Sequence, residues 1–252
     1  MRLKQIVPEV LSKLTGERVV YCAGGRRRFL KFKVDDKSMA YPILDEIYNA
    51  RVYFPTLNSR MKFDIKRGDT VIDIGGNIGL FAACAANLSH FGKVYCFEPN
   101  KDNFARLSYH RQCNGLDNLV LINKGVSDRT ETVKLYLLDE NCGAHSTVLD
   151  KDDGLKFEAD RFEIIECISL QQVIDDNEIE RCNFLKLDCE GAEARILMGL
   201  PAHYYKRIDR IALEYHANID VLALSKMLYG YGFEVTIKGF PEKCGLIFAI
   251  KR

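Results

Sequence analysis

The chain has 252 residues, of which 47% are hydrophobic and 28% are charged, and this is the composition of an ordinary globular protein with a full core. Disordered, collagen-like and coiled-coil classes are therefore excluded. With 36 basic and 35 acidic side chains, the formal net charge is only +1, which argues against a protein that mainly binds a polyanion.

The sequence predicts no membrane-spanning segment, because it contains no run of about 18 apolar residues. The first 14 residues, MRLKQIVPEVLSKL, mix charged and apolar side chains and do not form a secretory signal. The nine cysteines are odd in number and none are spaced as C-x-x-C, so we expect reduced thiols and a cytoplasmic protein.

In chain order, the first 66 residues hold short segments of ambiguous pattern: a predicted helix near 4–14, a basic strand-like segment at 26–34 and a helix around 42–50. After residue 66 the pattern becomes regular. Apolar runs at 70–74, 93–97, 119–122, 183–187 and 210–214 alternate with predicted helices at 78–88, 101–113, 170–176, 192–200 and 219–229. This alternation is typical of βα units around a parallel sheet that is buried on both faces.

The end of the chain has a different pattern. The runs at 233–237 and 246–250 are joined by a segment too short for a helix, so these two strands must be antiparallel. An insertion near 133–166 separates the third and fourth core strands. We therefore predict an α/β fold with a mostly parallel sheet, a C-terminal antiparallel hairpin and helices on both faces, preceded by an N-terminal extension over 1–66.

The strongest motif is the glycine loop VIDIGGNIG at 71–79, which ends one predicted strand and opens a helix. Gly75 and Gly79 allow a sharp turn and the close approach of a ligand. There is no Gly-Lys-Ser/Thr, so a P-loop is excluded. The dinucleotide spacing G-x-G-x-x-G also fails, because its third glycine would fall on Leu80 or Phe81.

Two acids accompany this loop. Asp73 precedes Gly75 at the end of its strand, where it would repel a pyrophosphate and attract a cation. Glu98 ends the next strand, 23 positions after Gly75, close to the spacing of about 20 residues at which an acid binds ribose hydroxyls. Taken alone, Glu98 is equally consistent with a turn acid before Pro99. Together the two acids indicate a ligand with a ribose and a positive centre but no phosphates, which is S-adenosylmethionine.

Three blocks of the sequence resemble the FkbM family of S-adenosylmethionine-dependent methyltransferases: GDTVIDIGGNIG at 68–79, FEPN at 97–100 and LKLDCEGAE at 185–193. The resemblance covers most of residues 67–252. It implies a class I (Rossmann-like) methyltransferase domain with a seven-stranded sheet, and usually O-methylation of hydroxyls on sugars or natural products. The 1–66 extension and the 133–166 insertion carry no family motif, and we expect the extension to cover the acceptor side.

The predicted cofactor site comprises residues of the glycine loop, of the FEPN block and of the next two regions that follow core strands. They are Asp73, Gly75, Gly76, Asn77, Gly79, Glu98, Pro99, Asn100, Val126, Ser127 and Asp188.

An alcohol acceptor needs a general base near the carboxyl ends of the strands. Strand alternation places Lys186 and Asp188 on one face, and Glu214 and His216 on one face of the following strand. His216 is the leading candidate for the base, Asp188 is its rival or orienting partner, and Glu190 is a third catalytic candidate. The alternative for His216 is a structural turn histidine, and for Glu190 an acid of a helix N-terminus.

Lys186 lies deeper in the predicted strand, and a buried lysine needs a partner. We expect an ion pair with Asp73 or Glu214 that rigidifies the floor of the pocket. The segment His145-Ser-Thr147 of the insertion is a candidate for the wall of the acceptor pocket. The acids and histidine of this region are possible metal ligands, but their spacing does not demand a metal and we predict none.

Three alternatives remain open at this stage. One is an RNA methyltransferase, for which the only support is the basic, aromatic segment GGRRRFLKF at 24–32, a pattern more typical of an edge strand protected by charge. The second is a non-catalytic module that binds S-adenosylmethionine, and the third is an NAD-linked dehydrogenase. We expect a small-molecule or glycan acceptor and no nucleic-acid or membrane partner. The oligomeric state is left open, with a homodimer as one option.

Overall fold

The fold is described from a computed structural model. It covers residues 17–23, 29–35, 40–58, 62–138, 145–147, 158, 160–216, 219–240 and 244–252. The predicted helix near 4–14 and the first residues of the strand-like segment at 26–34 lie outside these ranges. Within the described part of the chain, no helix is long and apolar enough to cross a bilayer.

The core is a seven-stranded sheet, and its strand order confirms the predicted fold class. Its strands are β3 (Val71–Ile74), β4 (Val94–Phe97), β5 (Leu119–Ile122), β9 (Phe184–Leu187), β10 (Arg210–Tyr215), β11 (Phe233–Gly239) and β12 (Gly245–Lys251). The order is β11-β12-β10-β9-β3-β4-β5. The five strands from β10 to β5 are parallel, and β12 and β11 form the predicted antiparallel hairpin.

Helices alternate with the core strands along the chain. They are α1 (Ala40–Leu44), α2 (Leu80–Ser89), α3 (Lys101–Cys113), α4 (Leu170–Asp176), α5 (Glu193–Gly199) and α6 (Val221–Gly230), with a 3₁₀ turn at Ala202–Arg207. Helix α2 begins two residues later than predicted, because Gly79 has a left-handed backbone with φ of 87° that ends the loop before the helix. The helix predicted around 42–50 is instead α1 followed by a π-helical turn, Asp45–Ala50.

A second, three-stranded sheet stands apart from the first. It contains β6 (Gly125–Ser127), β7 (Glu131–Tyr136) and β8 (Phe162–Ser169) in the order β6-β8-β7. The predicted insertion near 133–166 therefore starts inside β7 and ends inside β8, because these two strands pair with each other rather than with the core sheet.

The described N-terminal residues form a hairpin of β1 (Glu17–Ala23) and β2 (Phe29–Asp35) that docks on α3. The side-chain amide of Asn114 accepts from the backbone N–H of Lys31 at 2.7 Å and donates to the Lys31 carbonyl at 2.8 Å. Asn114 therefore hydrogen-bonds to the backbone of β2 as a neighbouring strand would. Farther along, Phe63 packs edge-on against Phe248 of the sheet. The division into an extension over 1–66 and a domain over 67–252 stays a prediction, although the described part of the extension shares the core of the domain.

Candidate active site

A cavity of about 310 Å³ opens at the carboxyl ends of the parallel strands. Ligands of open α/β sheets bind at this edge, where the strand order reverses. Its floor is formed by residues that end or directly follow four neighbouring strands: Gly75 after β3, Glu98 after β4, Asp188 after β9 and Glu214 near the end of β10. The cavity is therefore lined by residues that follow or end four neighbouring strands of the sheet.

The glycine loop forms one wall of this cavity, and its glycines are required by packing within the protein. Gly75 has φ of 81°, and a Cβ on it would lie 1.8 Å from the carbonyl oxygen of Asp188. A Cβ on Gly79 would lie 2.3 Å from Leu107 of α3. The sequence interpretation assigned this freedom to a sharp turn and to the approach of a ligand. The positive φ of both glycines agrees with the sharp turn, and the contacts of the loop with Asp188 and α3 add a packing requirement that the sequence did not reveal.

Glu98 faces the cavity and is held by the loops on both sides. Its Oε2 accepts the backbone N–H of Asn77 at 2.7 Å, and its Oε1 accepts that of Asn100 at 2.9 Å. Burial raises the pKa of Glu98 to about 7, against the opposing effect of these N–H donors. A carboxylate accepts about four hydrogen bonds, so each oxygen of Glu98 retains capacity for a hydroxyl donor in the cavity.

Asp73 lies behind the cavity wall, with its side chain 0% exposed. Its Oδ1 is 3.0 Å from Nζ of Lys186, whose side chain is only 3% exposed and does line the cavity. The predicted ion pair of Lys186 with Asp73 is thus confirmed. The expectation that Asp73 attracts the cation of a ligand has a different outcome, because its partner is a cation of the protein itself. This follows from the strand register, which pairs Asp73 on β3 with Lys186 on β9.

Lys186 also connects this buried pair to the floor of the cavity. Nζ contacts Oδ2 of Asp188 at 3.3 Å and donates to the carbonyl oxygen of Gly75 at 3.0 Å. Burial alone would lower the pKa of Lys186, but the carboxylates of Asp73 and Asp188 outweigh it and raise the pKa. Lys186 is therefore a fixed positive charge under Asp188.

Tyr53, which sequence reasoning missed, joins two acids of this floor. Its hydroxyl lies 2.9 Å from Oδ2 of Asp188 and 3.2 Å from Oε2 of Glu214, and its ring packs edge-on against Phe81. Burial, followed by the charges of Asp188 and Glu190, raises the pKa of Glu214 to about 8. Tyr53 comes from the ambiguous N-terminal region, where no periodic pattern marks it.

His216, the leading sequence candidate for the base, stands behind Glu190. Its Nε2 lies 3.4 Å from Oε2 of Glu190, its side chain is 11% exposed, and it is absent from the described residues that line the cavity. Glu190 does line the cavity, with a left-handed backbone at φ of 63°. The three sequence candidates therefore differ in position: Asp188 and Glu190 reach the cavity and His216 supports Glu190.

The other predicted cofactor residues divide into two groups. Those that line the cavity are Gly75, Gly76, Asn77, Glu98, Pro99, Val126 and Asp188. Among the rest, Asn100 caps α3 through the N–H of Asn103, and Ser127 is turned toward Asp128, Glu131 and Arg195.

His145 and Thr147 of the insertion also line the cavity. Between them, Ser146 donates to the carbonyl oxygen of Glu190 at 2.6 Å, which ties the inserted loop to the floor of the site. In the part of the chain that the structure describes, no group of three or more His, Cys, Asp or Glu side chains is arranged to hold a metal ion.

Comparison with known proteins decides the family. The family model described as Methyltransferase FkbM domain matches residues 73–235, which include residues 73–79 of the glycine loop, Glu98 and Glu214. The chain belongs to the FkbM methyltransferase family. Accordingly, it is an S-adenosylmethionine-dependent methyltransferase with S-adenosylmethionine as its cofactor.

The chain is similar to curated proteins that are named for different molecules. The chain is 28% identical to 31-O-demethyl-FK506 methyltransferase FkbM of Streptomyces tacrolimicus, over 95% of this chain and 94% of that protein. It is 24% identical to hexuronic acid methyltransferase AglP of Haloferax volcanii, over 66% and 63% of the two chains. It is also 28% identical to AMB antimetabolite synthetase AmbE of Pseudomonas aeruginosa, over 78% of this chain but only 11% of AmbE.

Among solved structures, the crystal structure of methyltransferase FkbM from Methylobacillus flagellatus KT has the same fold. It superposes with a TM-score of 0.52 at 18% identity, over 80% of this chain and 49% of that one. This likeness supports the Rossmann-like methyltransferase architecture of the chain.

The residues of the site fit the cofactor. The two Glu98 oxygens retain acceptor capacity for ribose hydroxyls, and the loop around Gly76 and Asn77 forms the adjacent wall. The residues that would hold it are therefore Gly75, Gly76, Asn77, Glu98 and Pro99, which all line the cavity.

Proposed function

We propose that this methyltransferase is an O-methyltransferase that acts on a hydroxyl of a sugar or another small molecule. The observation that carries the proposal is the position of Asp188. It shares one cavity with Glu98 and is held there by Lys186 and Tyr53. A hydroxyl acceptor requires a base of this kind at the reacting end of the site. Two relatives are named as methyltransferases of 31-O-demethyl-FK506 and of a hexuronic acid, and these names agree with a hydroxylated acceptor.

In this proposal the cofactor supplies an electrophilic methyl group. Glu98 and the glycine loop bind and orient it, and Asp188 accepts the proton of the acceptor hydroxyl. The bound cofactor would give up its methyl group to the acceptor oxygen and leave as a neutral thioether, and the proton of the acceptor hydroxyl would pass to the Asp188 carboxylate. The Lys186 ammonium lies 3.3 Å from the Asp188 carboxylate and compensates its negative charge.

We assign the acceptor wall to two segments that carry no family motif. The first contributes Ile43, Ile47 and Tyr53 to the cavity from the N-terminal part of the chain. The second contributes His145 and Thr147 from the insertion. Apolar side chains at this wall would exclude water from the methyl group, and the polar ones would orient hydroxyls.

The test is transfer of a labelled methyl group to a panel of acceptors: neutral sugars, uronic acids, a hydroxylated macrolide and an RNA. We expect transfer to a hydroxylated small molecule. Asp188→Asn should lose about 10²-fold or more in kcat while cofactor affinity, measured by calorimetry, stays within about threefold. The matched control is Asp128→Asn, which removes a carboxylate that pairs with Arg195 outside the reacting groups.

Two outcomes would contradict the proposal. If the cofactor binds but no acceptor in the panel is methylated, the reading of a non-catalytic binding module gains support. If RNA is methylated with a steep dependence on salt, the acceptor class is wrong.

A further inference from the structure

The floor of the cavity has one hydroxyl proton for two carboxyl groups. The hydroxyl of Tyr53 lies 2.9 Å from an oxygen of Asp188 and 3.2 Å from an oxygen of Glu214. A phenol donates one hydrogen bond only. If both acids were ionised, one of them would face the lone pairs of the Tyr53 oxygen in a buried place, without a proton between them. A second proton on one acid resolves this, since that acid can then donate to the Tyr53 oxygen.

The contacts around the two acids decide which one holds the second proton. The oxygen of Asp188 that faces Tyr53 is also 3.3 Å from Nζ of Lys186, so its negative charge is compensated. Glu214 lies beside Asp188 and Glu190, and both negative charges oppose its ionisation. These neighbours and burial raise the pKa of Glu214 to about 8, while Tyr53, whose pKa is raised by burial, stays protonated. Lys186 and the hydroxyl of Tyr53 act in the opposite direction on Glu214 and do not outweigh the rest.

We propose that Glu214 is a neutral carboxylic acid in the working enzyme and that it donates to Tyr53, which in turn donates to Asp188. This chain of hydrogen bonds leaves Asp188 as the acceptor at its end and fixes the oxygen that faces Lys186. The inference rests on the proposed function in its assignment of Asp188. Tyr53 and Glu214 are then positioning residues, because they act on the acceptor through Asp188.

The protonation of Glu214 can be tested without an acceptor. Infrared difference spectra of the whole chain between pH 6 and pH 10 report the carbonyl stretch of protonated carboxyl groups. We expect a signal that disappears around pH 8 in the wild type, in line with the pKa of about 8, and that is absent in Glu214→Gln. Glu98→Gln should retain it, which separates it from the contribution of Glu98. The proposal would be overturned if the signal were lost in Asp188→Asn but kept in Glu214→Gln, because the proton would then lie on Asp188. It would also be overturned if the wild type gave no signal.

Kinetics then test the positioning role. Glu214→Gln keeps a group that can donate to Tyr53, so it should lose less kcat than Glu214→Ala. Its kcat should also lack the decline that we expect in the wild type above the pKa of about 8. Tyr53→Phe keeps the ring and removes the donor, and we expect about a tenfold loss in kcat with little change in KM for the cofactor.

A role of Glu214 as the general base would change the pH profile and the order of the variants. If Glu214 were the base, activity would rise as pH passes through 8 and Glu214→Gln would be as inactive as Glu214→Ala. That result would overturn the inference. A correct infrared signal in a protein that methylates no hydroxyl would instead refute the proposed function and leave the proton on Glu214.

Discussion

Lys186→Met should destabilise the protein strongly, because it removes the cation that compensates the buried charge of Asp73, whose Oδ2 keeps a weak contact with Sγ of Cys96 at 3.5 Å. The side chains of Lys186 and Asp73 are 3% and 0% exposed, and Nζ lies 3.0 Å from Oδ1. At this separation the Coulomb energy is about 5 kcal/mol with an effective dielectric constant of about 20. Removal of one partner of a buried pair typically costs about 3–5 kcal/mol. We therefore expect the free energy of unfolding to fall by about 4 kcal/mol at pH 7.

The assay is urea denaturation of the wild type, Lys186→Met and the double variant Asp73→Asn/Lys186→Met. The double variant should recover most of the loss, since it has no unpaired buried carboxylate and Asp188, at 25% exposure, can be solvated. Burial already raises the folded-state pKa of Asp73 in the wild type, against the opposing charge of Lys186. Lys186→Met removes that charge and raises the pKa further, so the stability deficit grows as pH rises from about 4 and is smallest below it. A loss under about 1 kcal/mol at pH 7, or a double variant less stable than the single one, would refute the reasoning.

Three further predictions use other parts of the structure. Gly75→Ala should lower the free energy of unfolding by more than about 3 kcal/mol, since the new Cβ would lie 1.8 Å from the Asp188 carbonyl oxygen. The control Gly115→Ala, at a position with φ of 57° and open space around the Cβ, should cost about 1 kcal/mol. Thermal unfolding of the two variants measures the difference. Cofactor affinity should rise as pH increases through 7, where Glu98 ionises, and calorimetry should show a lower, pH-independent affinity for Glu98→Gln. His110 has a pKa lowered by burial, so wild-type stability should decrease as pH falls below about 6.5, and His110→Gln should lack that decrease in denaturation at pH 8 and pH 5.5.

Much of the fold could be predicted because strands that are buried on both faces of a sheet appear in the sequence as continuous apolar runs. β3, β4, β5, β9 and β10 all fall within one residue of their predicted bounds. The small sheet was not predicted, because the pairing of β7 with β8 joins segments separated by a long stretch of chain, and a single sequence carries no signal for such pairing.

From the sequence, Glu98 and the glycine loop were expected to share a site because each lies in its own local motif, and both line the cavity. The contacts of the site could not be predicted where they join residues that are far apart in the sequence. The hydroxyl of Tyr53 meets Asp188 across 135 positions of the sequence. Likewise, only the register of β3 against β9 reveals that Asp73 faces Lys186 and not a ligand.

The origin of Tyr53 has a consequence for the engineering of acceptor choice. The same N-terminal region supplies the apolar side chains Ile43 and Ile47 to the cavity, so a chimera that exchanges this region for that of a relative would alter the acceptor wall. It would also replace Tyr53, whose hydroxyl connects Asp188 to Glu214. The same segment therefore affects both the choice of acceptor and the hydrogen bonds of Asp188. A chimera that is meant to methylate a different molecule should keep a tyrosine at the position of Tyr53.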